Sequence, residues 1–359
     1  MARSARSRRT AGPRTLSISK GGNYMTWEII DSERRSDWTS WIKQIPQATV
    51  YQQWGWGDFK GGSGGGTLRL VARTKTGVPV GLAQAFVRKM PGGMKFIWIP
   101  GGPLCLNGDV SSDLMAALVR DLEKAVGRCY LRCNFMEPLN DANNSDLAKY
   151  MSRPAVRMLS GYSVFLDLND NEDLWLKKME KKHRYYVRHS RKNNIEWQYG
   201  NDDNILRSLA DLSEILVRDK GLNFSLFSYE QLVELRRHLA DSVKVIVGRF
   251  EGEPITAAMV LTQSNRGHYS TAATTGRGRD MNAAYAMLAE LRIRLRNDGI
   301  TLLDFGGIAP RDKSCQGVNH FKLGFGGEVV EYLGEWEAGS RLARFLGNLA
   351  VRIKRGGMG

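Results

Sequence analysis

One order of elements, written twice along the chain, limits what this sequence can become. In the first half, apolar runs at 67–73 and 78–88 flank a Lys75-Thr76-Gly77 turn, and Met90-Pro91-Gly92-Gly93 leads into a third run, Lys95–Pro100. Short apolar runs punctuated by Gly and Pro predict a strand meander. Asp109 or Ser111 is placed to cap a helix over 112–126, apolar at Leu114, Ala117, Leu118, Leu122 and Val126. A strand over Tyr130–Phe135 follows. The second half repeats the order: strands over 243–251 and 254–263 around a Glu251–Pro254 turn, a strand over 267–275, a helix over 281–298, and a strand over 301–305. That helix carries Ala284, Met287, Leu288, Leu291 and Leu295 on one face, and Gly299 stops it. Residue identity between the halves is barely visible, so the order of elements carries the repeat. It predicts two α/β units, each on a mixed, mostly antiparallel sheet.

The acetyltransferase (GNAT) fold has this element order, so two tandem GNAT-like domains are expected. A chain of 359 residues has room for both. The expected boundaries are a basic tail over 1–24, a first domain over 25–160 and a second over 161–337. The tail carries Arg3, Arg6, Arg8, Arg9, Arg14 and Lys20 with no acid, and reads as disordered. Met25, which opens the first globular segment, is an alternative start. The last stretch, 338–359, holds Leu342, Phe345, Leu346, Leu349 and Ile353 as an apolar stripe among arginines. It reads as a helix that packs on its own first domain or as one that lies on a membrane surface.

Several classes are set aside. No apolar run of membrane-spanning length occurs, and the basic N-terminus lacks the apolar core of a secretory signal. Cys105, Cys129, Cys133 and Cys315 are scattered, and neither they nor the five histidines form a ligand cluster in the sequence. Reduced thiols and no metal are therefore expected. The glycine run after Lys60 lacks the Gly-Lys-Ser/Thr ending of a phosphate loop, which excludes nucleotide hydrolysis. The net charge of +15 favours a polyanionic partner, either nucleic acid or an anionic lipid surface.

The chemistry concentrates in 267–336. Past the buried run Leu302–Phe305 and Gly306-Gly307, an irregular loop delivers His320-Phe321-Lys322 just before Gly324-Phe325-Gly326-Gly327. A cation held between an aromatic ring and a glycine turn suits a group that faces developing negative charge in a partly desolvated cleft. The alternative is a core Phe321 and a surface Lys322. A second feature is the basic run 176–193. From Lys177 to Lys192 it carries Lys177, Lys178, Lys181, Lys182, Arg184, Arg188, Arg191 and Lys192 against one acid. On one helix, Met179, His183, Tyr186 and Ser190 share a face. The rest is a solvated surface or a surface for phosphates. A third is Trp54-Gly55-Trp56 ahead of Lys60, where Lys60 is a phosphate contact or a loop lysine. Asp304 reads as structural.

Three segments of this region, DFGGI (304–308), HFKLGFGGE (320–328) and EYLGEW (331–336), resemble the C-terminal half of the FemABX transferases, and the pattern extends over about 27–336. That resemblance implies an enzyme that moves an amino acid from aminoacyl-tRNA onto an amine of a peptidoglycan-precursor peptide, lipid- or nucleotide-linked. It implies that Lys322 is catalytic and that Lys60 contacts the precursor's diphosphate. It places Tyr130, Tyr229 and Phe321 at the substrate and assigns a basic helix at 176–193 to the tRNA. Glu137 stands where the family tends to carry an aspartate, so it keeps a carboxylate one methylene longer, a candidate proton acceptor beside the substrate's own carboxylate. Ser225 stands where the family presents an arginine to the second phosphate; a hydroxyl cannot replace a guanidinium there, so the acceptor differs. The long coiled-coil arm of some members is missing.

The donor can also be weighed from the residues. A CoA pyrophosphate is held by backbone amides in a glycine-rich turn. The equivalent turn here, Arg279-Asp280-Met281-Asn282-Ala283-Ala284, has asparagine for the first glycine and an added acid. Aminoacyl-tRNA is therefore the expected donor, acyl-CoA the less favoured one, and no further cofactor is expected. No Ser sits in a nucleophile elbow, so direct attack by a bound amine is expected. The rivals are an acyl-CoA-dependent N-acyltransferase of amino sugars or envelope polysaccharide precursors, and a non-catalytic tRNA- or membrane-binding module. The expected location is cytoplasmic, with peripheral contact at the inner face of the membrane.

Overall fold

The computed structural model describes residues 25–62, 66–106, 108, 110–221, 227–310 and 312–356; the tail expected over 1–24 lies outside them. The first half opens with β1 (Thr26–Ile29), α1 (Arg35–Lys43) and α2 (Trp54–Gly61). Then come β2 (Gly66–Arg73), β3 (Pro79–Lys89), β4 (Lys95–Pro100), the short β5 (Leu104–Cys105), α3 (Ser112–Val126), β6 (Cys129–Pro138) and α4 (Asp141–Leu147). Ser111 caps α3 by accepting from the amide of Leu114. The strand β2 pairs antiparallel with β3 and β3 with β4, and the α3 crossover returns β6 parallel to β4. Trp54 and Trp56 both lie in α2.

The second half begins with β7 (Tyr162–Asp167), α5 (Glu172–Lys178), α6 (Lys181–Ser190), β8 (Glu196–Gly200), α7 (Asp203–Lys220) and α8 (Tyr229–Leu239). Gly221, left-handed at φ 57°, ends α7, and Ser228 with Gln231 forms a capping box on α8. The repeat follows as β9 (Val243–Phe250), β10 (Glu253–Gln263), β11 (Arg266–Thr274), the five-residue α9 (Gly276–Asp280), α10 (Ala283–Asn297) and β12 (Leu302–Ile308). Again two antiparallel pairs are followed by a parallel one, β11 with β12. The chain closes with α11 (Gln316–Leu323), β13 (Glu328–Ala338) and α12 (Arg341–Gly356).

The two sheets are continuous, in the order β1-β2-β3-β4-β6-β13-β7-β12-β11-β10-β9-β8. The strand that joins them is β13. Its first residues, Glu328–Glu331, pair with β7, and its later ones, from Tyr332 to Ala338, pair with β6. The last strand of the second half therefore completes the sheet of the first. One core lies between α3 and the first sheet, around Leu118, Leu131, Phe135 and Trp336. A second lies under α10, around Leu291, Phe305 and Phe325. A third mixes the halves, setting Val50 and Trp56 against α7 and α8.

Two expectations are corrected. The basic run is not one helix, because Met179 is extended and breaks it into α5 and α6. Met179, His183, Val187 and Ser190 are buried there and Tyr186 is only half-buried. The segment that carries Lys322 is helical, not an irregular loop. At the C-terminus, α12 packs on β6, with Gly347 against the ring of Tyr130.

Candidate active site

The two parallel pairs differ in one respect. In the first half, β4 and β6 stay paired from Lys95 with Cys129 through Pro100 with Asn134. In the second, β11 and β12 pair only from Arg266 with Leu302 to His268 with Asp304 and then part. Just past the split, Tyr269 and Phe305 meet edge to face at 4.8 Å. Phe321, Phe325 and Tyr285 continue this aromatic packing with ring centres 5.0–5.6 Å apart.

Lys322 stands at this split. The helix α11 carries it, and its Nζ donates 2.9 Å to the carbonyl of Gly307 and lies 5.9 Å from the centre of the Phe305 ring. Gly306 makes room for it. That residue has φ 81°, and a Cβ there would fall 3.1 Å from the Tyr269 carbonyl oxygen and 3.3 Å from the Lys322 Nζ. Burial lowers the Lys322 pKa, and the charge of Asp304 opposes that shift. The result is a half-buried ammonium with one hydrogen-bond acceptor among the described residues, held beside the aromatic packing.

Asp304 holds the frame of the split together. Its Oδ1 accepts from Ser163 Oγ at 2.5 Å and from the amide of Gly306 at 3.1 Å. Its Oδ2 accepts from Tyr332 at 2.5 Å and from Arg266 at 2.6 Å. Nδ1 of His268 lies 3.5 Å from Oδ2, a long contact. Burial alone would raise the carboxyl pKa, but His268, Arg266 and Ser163 outweigh it and hold Asp304 well below the usual carboxylate range. Arg266 also donates to the carbonyl of Met136 at 3.0 Å, so the network reaches across to β6. Four strands, β7, β11, β12 and β13, thus meet on one carboxylate. Sequence reasoning missed this because its partners are far apart in the chain.

A chain of ring contacts leads from the split to the first half. Tyr51 packs on His268 at 5.4 Å and on Trp56 at 5.1 Å. Lys60 lies over Trp56 and Phe59 at 5.1 and 5.0 Å, with its pKa lowered by burial and by Arg88. Phe59 meets Phe227 at 6.3 Å, two residues before Tyr229, whose ring stacks under the Arg207 guanidinium at 3.8 Å. Lys60 and Tyr229 are therefore set around one aromatic seam between the halves, whose Tyr51 end reaches His268 beside Asp304.

Other expected site residues fall elsewhere. Tyr130 is fully buried beneath α12, donating to Glu337 at 2.7 Å, stacked on Phe96 and accepting from Arg132 at 3.0 Å. It is a core residue, not a substrate contact. Glu137 lies at an irregularity of β6, where Tyr332 pairs with Pro138 and Gly334 with Phe135, so that two residues of β6 face one of β13. The Glu137 carboxylate accepts from Asn143 of α4 at 3.5 Å. Phe321 packs in the aromatic core, and its carbonyl meets the ring of His183. Ser225 lies outside the described residues. Of the basic run, Lys177, Lys181, Lys182, Arg188 and Lys192 are exposed, whereas Lys178 pairs with Asp170 at 2.6 Å and Arg191 with Glu172. Arg184 is half-buried and donates to the carbonyl of Met179 at 3.3 Å.

The fold also assembles one group the sequence did not show. Glu180, the buried His183 and His320 converge, with Glu180 3.7 Å from His183 Nδ1 and 4.0 Å from His320 Nδ1. Among the described residues it is a cluster with ligand-type side chains. Its separations are wider than the bonds of about 2.0–2.2 Å to a shared zinc call for. Gly324 is required beside it, since a Cβ there would lie 2.1 Å from the His183 ring.

These features define a tandem GNAT-like protein in which the second unit is open and the first closed. Residues 230–342, which contain His268, Asp304 and Lys322, match the FemAB family model, and the resemblance to the FemABX transferases holds. Among solved structures, FemX superposes with a TM-score of 0.76 at 15% identity, over 88% of this chain and 98% of that one. The C-terminal domain of a putative lysylphosphatidylglycerol synthetase from Agrobacterium fabrum gives 0.53 at 14% identity, over 79% and 88%. A tandem GNAT protein from the clavulanic acid pathway gives 0.51 at 15% identity, over 88% and 98%. No curated protein sequence matches the chain.

Proposed function

We propose that this protein is an aminoacyltransferase that moves an aminoacyl group from aminoacyl-tRNA to an amine of a peptidoglycan-precursor peptide. The observation that carries the reading is the half-buried Lys322 ammonium at the split of β11 and β12, within the stretch that matches the FemAB family. The amine nitrogen attacks the ester carbonyl carbon, and the carbonyl oxygen gains negative charge. The Lys322 Nζ, already in a low-dielectric setting, stabilises that oxygen. The ester C–O bond then breaks, the ribose oxygen takes up the proton lost by the amine and leaves as the tRNA hydroxyl, and an amide remains.

The attacking nitrogen must lose a proton. Asp304 is held ionised with its oxygens committed to donors, while the Glu137 carboxylate accepts from Asn143 and is one candidate acceptor. His268, the ring beside Asp304, is the group in this network that can accept it. It lies about 7 Å along the strand direction from Gly306, at roughly 3.3 Å per residue. The substrate's own carboxylate is a further candidate. Lys60 in the seam contacts the acceptor's diphosphate, and the exposed lysines of α5 and α6 contact the tRNA backbone.

The test is transfer of radiolabelled amino acids from a charged total-tRNA pool to peptidoglycan precursors, with and without RNase, beside an acetyl-CoA consumption assay. RNase-sensitive incorporation is expected. CoA release with no dependence on tRNA would move the protein to the acyl-CoA class, and neither activity would leave a binding module.

A further inference from the structure

We propose that α12 docks this protein on an anionic lipid bilayer through a face that the fold leaves bare. The inner face of the helix is fully engaged. Ala343, Asn348 and Val351 are buried, Gly347 abuts Tyr130, and the Asn348 side chain donates to Glu337 at 2.7 Å and accepts from Arg132 at 3.0 Å. The outer face is the anomaly. Leu342, Phe345, Leu349 and Ile353 are 66%, 66%, 42% and 67% exposed. Spacings of three, four and four residues put them on one line along the helix. Single exposed apolar residues are ordinary, but a line of four large ones on a helix already packed by its other face marks an interaction surface.

The flanks decide the occupant. Arg341 and Arg352 are exposed beside the stripe, and Arg157 is exposed on the segment whose Val156 amide donates to Asn348. A second copy would bring arginine against arginine on a chain of net charge +15, and so is disfavoured. An anionic headgroup layer over an acyl interior matches both parts of the pattern: the stripe enters the acyl boundary and the guanidiniums meet lipid phosphates. No helix among the described residues is long and apolar enough to cross a membrane, so the contact lies in the interface plane. This inference does not depend on the transfer chemistry.

The experiment is co-sedimentation of the full chain with vesicles of phosphatidylcholine and phosphatidylglycerol in equal parts, and with pure phosphatidylcholine vesicles. The comparison is the double variant Phe345→Ser, Ile353→Ser, whose positions are exposed, so that its melting midpoint should match the wild type. Binding to the anionic vesicles is expected to fall on the order of tenfold or more in the variant, and wild-type binding to pure phosphatidylcholine to be weaker than to the mixture. Equal sedimentation of variant and wild type would show that net charge alone acts and overturn the proposal. So would no vesicle binding by the wild type, or a dimer in analytical ultracentrifugation that the variant abolishes. A precursor-transfer assay on soluble peptide substrate should be the same for both proteins, which separates this contact from the active site.

Discussion

At the scale of single residues, Asp304 and Lys322 divide two tasks. Lys322 is half-buried with one backbone acceptor among the described residues, so its charge is available to a substrate oxygen. Asp304 is fully committed, and its charge keeps β7, β11, β12 and β13 in register. Replacing Asp304 with asparagine removes the charge facing Arg266 and sets amide hydrogens against donors. Breaking a buried pair in this way costs about 3–5 kcal/mol. The pH dependence has a definite sign. Asp304 has a depressed pKa in the folded protein, so its contribution is fully present above the unfolded carboxyl value of about 3.9 and is lost as pH falls towards the folded value. Chemical denaturation of wild type and Asp304→Asn should therefore differ by a constant amount at neutral and mildly acidic pH and converge only in strong acid. A difference that vanished near pH 6 would mean that another group carries the effect.

At the scale of elements, burial and charge explain both what the sequence disclosed and what it hid. The meanders, α3 and α10 are legible because their apolar periods and end signals are local; Ser111 stands where a cap was expected. The strand β13 was hidden because Glu335 and Glu337 make it look polar. In the fold both are buried, opposite the fully buried Arg132 on β6. The helix α11 was hidden by its brevity and the glycines after it. The break at Met179 has no Pro or Gly to announce it. It separates α5 from α6, yet their lysines remain exposed. Changing Lys177, Lys181, Arg188 and Lys192 to glutamine should reduce the slope of log affinity for tRNA against log salt by roughly 0.7–0.9 per lost phosphate contact. Filter binding across a salt series measures this. An unchanged slope would place the tRNA elsewhere.

At the scale of the whole molecule, the repeat was legible but the joint was not. Two similar units were expected to sit side by side with a boundary near 160. Instead β13 crosses from β7 to β6, and Val50 and Trp56 of the first half pack on α7 and α8 of the second. The candidate site follows the same pattern. Lys322, Lys60 and Tyr229 could be named from local motifs, but the frame around them is built from Tyr51, Ser163, Arg266, His268 and Tyr332, which only the folded sheet brings together. Tyr130 was misplaced because a strand's motif does not say which of its two faces meets the cleft. The asymmetry between the halves, one parallel pair closed and one parted, makes a single reaction centre the central claim. Its most direct test is the single-turnover rate of aminoacyl transfer by Lys322→Met, which keeps the length and apolar packing of the side chain and removes its charge. The account predicts a rate lower by about 10²–10³ with tRNA binding unchanged, the usual effect of losing one oxyanion donor. A rate within a few-fold of wild type would contradict it and place the chemistry outside the split of β11 and β12.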